Sequence, residues 1–96
     1  ALDWKMRAKM VHSLEMLAHN GNELREPYSK HLDDGIFELR AQAGSDISRV
    51  LYFFFVGNRA ILTNGFVKKT QKTPAEQMER AKRYRADFFR REENRK

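Results

Sequence analysis

The stretch from residue 36 to residue 67 constrains this chain most, because it holds three extended segments and too little between them for anything but tight turns. In 36–43, Phe37, Leu39 and Ala41 fall on one side and Glu38, Arg40 and Gln42 on the other, which predicts a half-buried strand. Residues 47–56 are apolar on both faces except at Arg49, which predicts a central strand covered on two sides. Residues 60–67 form the third strand. The breaks are Ala43-Gly44-Ser45-Asp46, a turn, and Gly57-Asn58, a two-residue hairpin signal. A parallel crossover needs a dozen or so residues, so the three strands are expected to form an antiparallel meander.

Helical patterns flank the meander. Asp3 is placed to cap a helix that begins at Trp4, with Met6, Met10, Leu14 and Leu17 on one face and Val11 and Ala18 widening it. The methionines read as core packing. Asn20-Gly21-Asn22 should stop this helix, since glycine and asparagine tolerate the left-handed turn. Residues 22–35 are mixed: 23–27 has room for a short helical turn, Pro27 discourages its continuation, and Asp33-Asp34-Gly35 signals a turn. Thr73-Pro74-Ala75-Glu76 reads as a capping box with proline at the first helical position. It opens a helix with Met78, Ala81, Tyr84 or Arg85, and Phe88 on one face, widened by Phe89. The tail after Arg91 is polar and expected to fray. The expected class is α+β, a small antiparallel sheet with helices packed on it. At 96 residues the chain is expected to be one domain, 1–96. It opens almost directly on a helix where such folds often carry an edge strand, so an N-terminal edge strand is expected to be missing.

Composition narrows the chemistry. The absence of cysteine excludes disulfides, thiolate metal sites and cysteine nucleophiles. No run suits a membrane span or a signal peptide, and a cytoplasmic location is expected. The formal net charge is +6, and from Lys68 onward basic residues outnumber acidic ones by the whole of that excess. A basic domain of this size commonly meets an anion: nucleic acid, a membrane surface or an acidic partner.

Several residues are candidates for that encounter. Arg40 and Glu38 share the polar side of the first strand. Arg49 interrupts a strand where a charge costs desolvation unless it is paired or lines a cleft; an ion pair with Glu38 is the structural reading. Lys68 and Lys69 end the third strand, and adjacent strands would bring them to the surface of Arg40 and Arg49 if the register allows. The basic loop 68–73 then enters a helix N-terminus, which favours phosphate. The histidines His12, His19 and His31 share no metal-ligand spacing. His12 and His19 are expected at the surface, and His31, just before the strands, is a minor acid–base candidate. Arg80, Lys82, Arg83 and Arg85 make either a solvated helix face or contacts to a phosphate backbone. No phosphate loop, nucleophile elbow or zinc motif occurs.

The stretches GIFELR, SRVLYFF and NGFVKKTQKTP, in this order before a final helix, resemble the phage-derived Gp49-like branch of the RelE/HigB toxins of bacterial type II toxin–antitoxin pairs. The resemblance runs over residues 28–86, with the preceding helix also in place and the family's opening strand absent. It implies a RelE-like fold, a twisted antiparallel sheet with two N-terminal helices against it and a C-terminal helix. It also implies a metal-independent endoribonuclease that cuts mRNA on the ribosome in the bacterial cytoplasm. No cofactor is implied. The implied partner is a cognate helix-turn-helix antitoxin, with operator DNA reached only through the toxin–antitoxin complex and no membrane involved. The family's basic sheet residues fall on Arg40, Arg49, Lys68 and Lys69. Arg40 and Arg49 would clamp phosphate, and a lysine would assist the leaving oxygen or the phosphate. Lys30, Lys72, Arg80 and Arg83 are candidate RNA contacts, and Glu38 and His31 candidate acid–base groups. Glu38 is in competition for that role with its own ion pair to Arg40. No histidine matches the C-terminal catalytic residue of some relatives, and Tyr84 lies on a helix.

Two other functions fit the same residues. One is a non-catalytic nucleic-acid-binding module, or a toxin that has lost activity while keeping its fold. The other is an interaction protein whose basic face meets an acidic partner.

Overall fold

The computed structural model describes residues 4–68 and 73–95. The expected Asp3 cap, the side chain of Lys68, and the whole of Lys69 and Lys72 lie outside the described residues. The elements run α1 (Trp4–Asn20), a 3-10 turn (Gly21–Glu23), β1 (Ser29–Asp33), β2 (Ile36–Ala43), β3 (Asp46–Phe55), β4 (Arg59–Lys68) and α2 (Ala75–Asn94). The strands form one antiparallel sheet in the order β1-β2-β3-β4. The meander and the α+β class stand as expected, with a fourth strand in front.

That fourth strand occupies part of the stretch read as irregular. Ser29-Lys30-His31-Leu32-Asp33 has little apolar content and a mostly exposed pattern, so its sequence carries no strand signal. It forms because β2 offers it an edge, and its charged side chains suit an outer position where further pairing is unwelcome. The short helical turn expected at 23–27 lies earlier, as the 3-10 turn. The hairpin between β3 and β4 takes three residues rather than two, since Phe55 pairs with Arg59.

The sheet is covered on both faces. On one, Met6, Met10 and Leu17 of α1 pack against Leu39, Ala41 and Tyr52. On the other, Ala81 of α2, flanked by Met78 and Phe88, packs against Ile36, Leu51 and Phe53. These strand residues alternate along β2 and β3, so pleating sends them to opposite sides. Three layers result, and β2 is not the half-buried strand its alternation predicts: Glu38, on its polar side, is wholly buried.

Each helix departs from the sequence pattern in one respect. In α1 the stripe is rotated: Val11 and Ala18 are exposed, while Ser13 is buried and its hydroxyl donates to the Arg40 carbonyl at 2.6 Å. Hydrophobicity alone cannot find a serine used this way. In α2 the inward choice between Tyr84 and Arg85 falls to Arg85, whose guanidinium bonds the Asp34 carboxylate at 2.6 Å and the Asp34 carbonyl. The helix also continues through Asn94 instead of fraying after Arg91. Asp87 bonds Arg90 and Arg91, and Glu92 bonds Arg95, all at helical spacings of three or four.

The end of α1 is set by Gly21, at φ +56°. A Cβ there would stand 2.8 Å from the side chain of Asn58, whose oxygen accepts from the Asn22 amide at 3.0 Å. The close approach of the β3–β4 turn therefore requires glycine at this position.

Candidate functional site: a buried carboxylate that holds two arginines

Register decides which charges meet. Arg40 and Arg49 are directly opposed on β2 and β3, and Lys30 on β1 is opposed to Glu38. On the other side of β3, the pairing slips between Val50 and Tyr52, so Thr63 and Asn64 of β4 share the space opposite Leu51. This bulge shifts the alternation of β4 by one residue. Phe66 then faces Arg49 and Lys68 is paired with Ile47, so the backbone position of Lys68 lies on the Arg49 face. Asn64, at the bulge, donates to the side-chain oxygen of Gln77 at 2.9 Å and ties β4 to α2.

Glu38 is the centre of the arrangement. Its Oε1 accepts from Arg40 Nε at 2.6 Å. Its Oε2 accepts from Arg49 Nη1 at 3.3 Å and from the Thr73 hydroxyl. Arg49 Nη1 also lies 3.5 Å from the Thr73 hydroxyl. The side chains of Glu38 and Arg49 have no solvent exposure, whereas that of Arg40 keeps 20%. A charge this deep is tolerable because each has an opposite partner and further hydrogen bonds. Thr73 does not cap the helix as its sequence context predicts. Pro74 occupies the cap position with no side-chain bond, and the threonine hydroxyl is committed to Glu38.

The exposed part of Arg40 opens on a cleft of about 480 Å3 between β1 and the start of α2, which Lys30, Thr73, Met78, Glu79 and Lys82 also line. Lys82 stands 3.5 Å from Asp33. Asp33 and Glu79 line the cleft as well, so among the described residues three cations (Lys30, Arg40 and Lys82) meet two carboxylates and the lining is positive by one charge.

The structure gathers some of the sequence candidates and separates others. Arg40, Arg49, Glu38 and Lys30 share one face of the sheet. His31 also borders the cleft, but its ring lies on the α1 side, edge-on to its pairing partner Phe37 with centroids 5.0 Å apart. Its Nε2 accepts from the Gly35 amide at 3.3 Å. Arg80 and Arg83 are exposed on α2 and do not line the cleft. Arg49, expected as a clamp, is enclosed, so Arg40 is the arginine a ligand would meet. The sequence marks Thr73 only as part of a capping box that the helix does not use, and a contact 35 residues away in sequence leaves no local trace. Among the described residues, no three His, Asp or Glu side chains converge as metal ligands do. No described helix is long and apolar enough to cross a membrane.

Comparison with known proteins follows the same residues. A search of curated proteins gives no match. The family model described as Phage derived protein Gp49-like matches residues 1–86, which span α1, the whole sheet and the first part of α2. The chain belongs to the phage-derived Gp49-like protein family.

Proposed function

We propose that this protein is a RelE/HigB-type toxin of a bacterial type II toxin–antitoxin pair, acting in the cytoplasm as an endoribonuclease on ribosome-bound mRNA and neutralised by a cognate helix-turn-helix antitoxin. Operator DNA is reached only through the complex with that antitoxin. The observation that carries this reading is Arg40. It is fixed by Glu38 at 2.6 Å, keeps a fifth of its side chain exposed, and opens with Lys30 on a cleft able to admit a phosphate backbone. Family membership supports the same class of activity.

The reaction is attack of a 2′-oxygen on the adjacent phosphorus. The P–O5′ bond breaks, leaving a 2′,3′-cyclic phosphate and a 5′-hydroxyl; one proton leaves the 2′-hydroxyl and one joins O5′. The protein must align the RNA and stabilise charge that builds on the phosphoryl oxygens. In the proposal Arg40 meets a non-bridging oxygen and Lys30 an adjacent phosphate. Lys68 and Lys69 stabilise the phosphate or leaving oxygen, and Lys72 extends the path. Arg80 and Arg83 touch RNA only where the strand leaves the cleft along α2. Arg49 acts as a positioning residue, because it holds Glu38, which in turn holds Arg40. Glu38 has both oxygens engaged, so its assigned work is orientation rather than proton transfer, and the in-line geometry imposed by the ribosome takes a larger share.

A second reading has an observation of its own. A carboxylate with both oxygens occupied and a buried arginine suit a module that binds RNA without cutting it. Induced expression of the full-length protein in a bacterial host separates the two, with growth followed and mRNA ends mapped by primer extension. The nuclease reading expects growth arrest and in-frame cuts, both lost in Arg40→Ala while the chain remains folded. Stable, folded protein that binds RNA but neither slows growth nor cuts mRNA would establish the binding module.

A further inference from the structure

The cleft beside Arg40 carries a carboxylate that phosphate binding does not explain. Of its two acids, Asp33 stands 3.5 Å from Lys82. Glu79 is exposed on α2, and its carboxylate has no ion pair or hydrogen bond with any described residue. Lys82 and Arg83, three and four residues on, stand at the usual spacing for a helical ion pair with it. Lys82 is turned to Asp33 instead. Among the described residues Glu79 therefore keeps both oxygens free on the wall of the cleft.

The cleft is graded along its length. Lys30, opposed to Glu38 in the ladder, and Arg40, held by Glu38 at 2.6 Å, form a cationic end. The bond from Thr73 to Glu38 fixes the start of α2 at this same end. Leu32 and Met78 come next; both pack on the cluster of Ile36, Leu51 and Phe53 and give the cleft an apolar wall. Leu32 lies two residues beyond Lys30 along β1, about 7 Å. Glu79 lies four residues beyond Ala75 in α2, about 6 Å along the axis. A phosphate held by the cations thus has an apolar surface and a free carboxylate within the breadth of one nucleotide.

We propose that this part of the cleft is a base pocket that selects guanine in the bound strand, with Leu32 and Met78 against the face of the base and Glu79 as the specificity-determining residue, a role that rests on the reading of the cleft as an RNA site. A carboxylate in a groove for a polyanion repels phosphate, so the strand turns a base rather than its backbone toward Glu79. Bases of single-stranded RNA are read on such exposed edges. An ionised carboxylate only accepts hydrogen bonds. Guanine presents N1–H and N2–H side by side, and these match the two carboxylate oxygens in parallel, charge-assisted bonds. Adenine and cytosine each set an amino donor beside a ring-nitrogen acceptor, so one bond forms and one oxygen faces a lone pair. Uracil offers its N3–H between two carbonyl oxygens and is disfavoured most.

The test titrates the full-length protein at low salt with four labelled trinucleotides that carry guanosine, inosine, adenosine or uridine between two uridines. The guanosine probe should bind about tenfold or more tighter than the uridine probe. Inosine keeps N1–H but lacks the 2-amino group, and its probe should bind about threefold or more weaker than the guanosine probe. Glu79→Gln exchanges one acceptor for a donor that meets the guanine donors head-on, and should bring the guanosine and uridine probes to within about twofold of each other. The inosine comparison uses the unaltered chain, so it decides even if the variant fails to fold by circular dichroism. Equal binding of the four probes, or a guanosine preference that survives Glu79→Gln, would overturn the base pocket. Lys30→Ala tells that failure from failure of the RNA reading. If it weakens all four equal-binding probes alike, the cleft still holds RNA and only the base pocket falls. Probes that do not bind, or that bind without regard to Lys30→Ala, remove both.

Discussion

Arg49 Nη1 lies 3.3 Å from Glu38 Oε2, and neither side chain reaches solvent. Removing one member of such a pair leaves a buried charge with too few partners, at a typical cost of about 3–5 kcal/mol. Glu38→Ala abandons both arginines and the Thr73 hydroxyl, so it should lose about that much in urea unfolding. Arg40→Ala leaves Glu38 with Arg49 and Thr73 and removes a partly exposed group, so about 1 kcal/mol is expected. A Glu38→Ala chain within 1 kcal/mol of the parent would show that the cluster does not form in solution. Loss of activity in Arg49→Ala is consequently a poor test of catalysis, because the fold is at stake, and Arg40 and Lys30 are the informative positions.

Thr73 gives a second expectation. As a helix cap its replacement by serine or aspartate would be neutral, and any loss would come from the helix start. Bonded to Glu38, it behaves differently. Thr73→Ser should stay close to the parent. Thr73→Val removes a donor from a buried carboxylate and should cost about 1–3 kcal/mol. Thr73→Asp should cost more than valine, because it sets a second carboxylate against Glu38. Urea unfolding of the three variants measures the order; a harmless Thr73→Asp would mean the hydroxyl caps α2 after all.

Tyr52 sets an alkaline limit. Burial raises its phenol above the ordinary value of 10.0, and a bond with the Ser29 hydroxyl partly offsets the rise. The folded chain therefore prefers the neutral phenol. This stability is complete below pH 10, begins to fall as the unfolded phenol ionises near that value, and is lost as pH passes the higher folded value. Tyr52→Phe should remove that part of the alkaline loss. It should cost about 1 kcal/mol at neutral pH, since buried Ser29 gives up its partner. Denaturation midpoints from pH 8 to pH 11 for both proteins test the sign.

Much of the fold was legible because it follows from local pattern. The three strands of the meander show in the alternation after Ile36 and in turns at Gly44 and Gly57, and α1 stops at Asn20 because Gly21 takes the left-handed turn. The failures share a cause, which is that tertiary context overrode local signal. β1 is polar and exists because β2 has an edge to pair. Ser13 and Glu38 are buried by partners far away in sequence. The bulge at Thr63 and Asn64 leaves no reliable mark in composition, yet it decides which face the position of Lys68 shares. At the site, the pairing of Glu38 with Arg40 and Arg49 was readable from charges placed where strands are expensive. Which arginine is open to a ligand was not readable, because that depends on where Thr73 and α2 close over the sheet.

Lys30 separates the cleft from the rest of the basic surface. Single-stranded RNA binding weakens with salt, with a slope of roughly 0.7 for each phosphate neutralised. Lys30 lines the cleft beside Arg40, so Lys30→Ala should lower the slope of log Kd against log salt by about that amount. It should do so for any RNA sequence, since a phosphate contact reads none. Arg80 is exposed on α2 outside the cleft, and Arg80→Ala should leave the slope nearly unchanged for an oligonucleotide short enough to lie within the cleft. Titrations of a labelled trinucleotide at four salt concentrations supply both slopes. Equal losses from the two variants would mean that RNA lies across the helix rather than in the cleft, and the assignment of Arg40 would fall with that result.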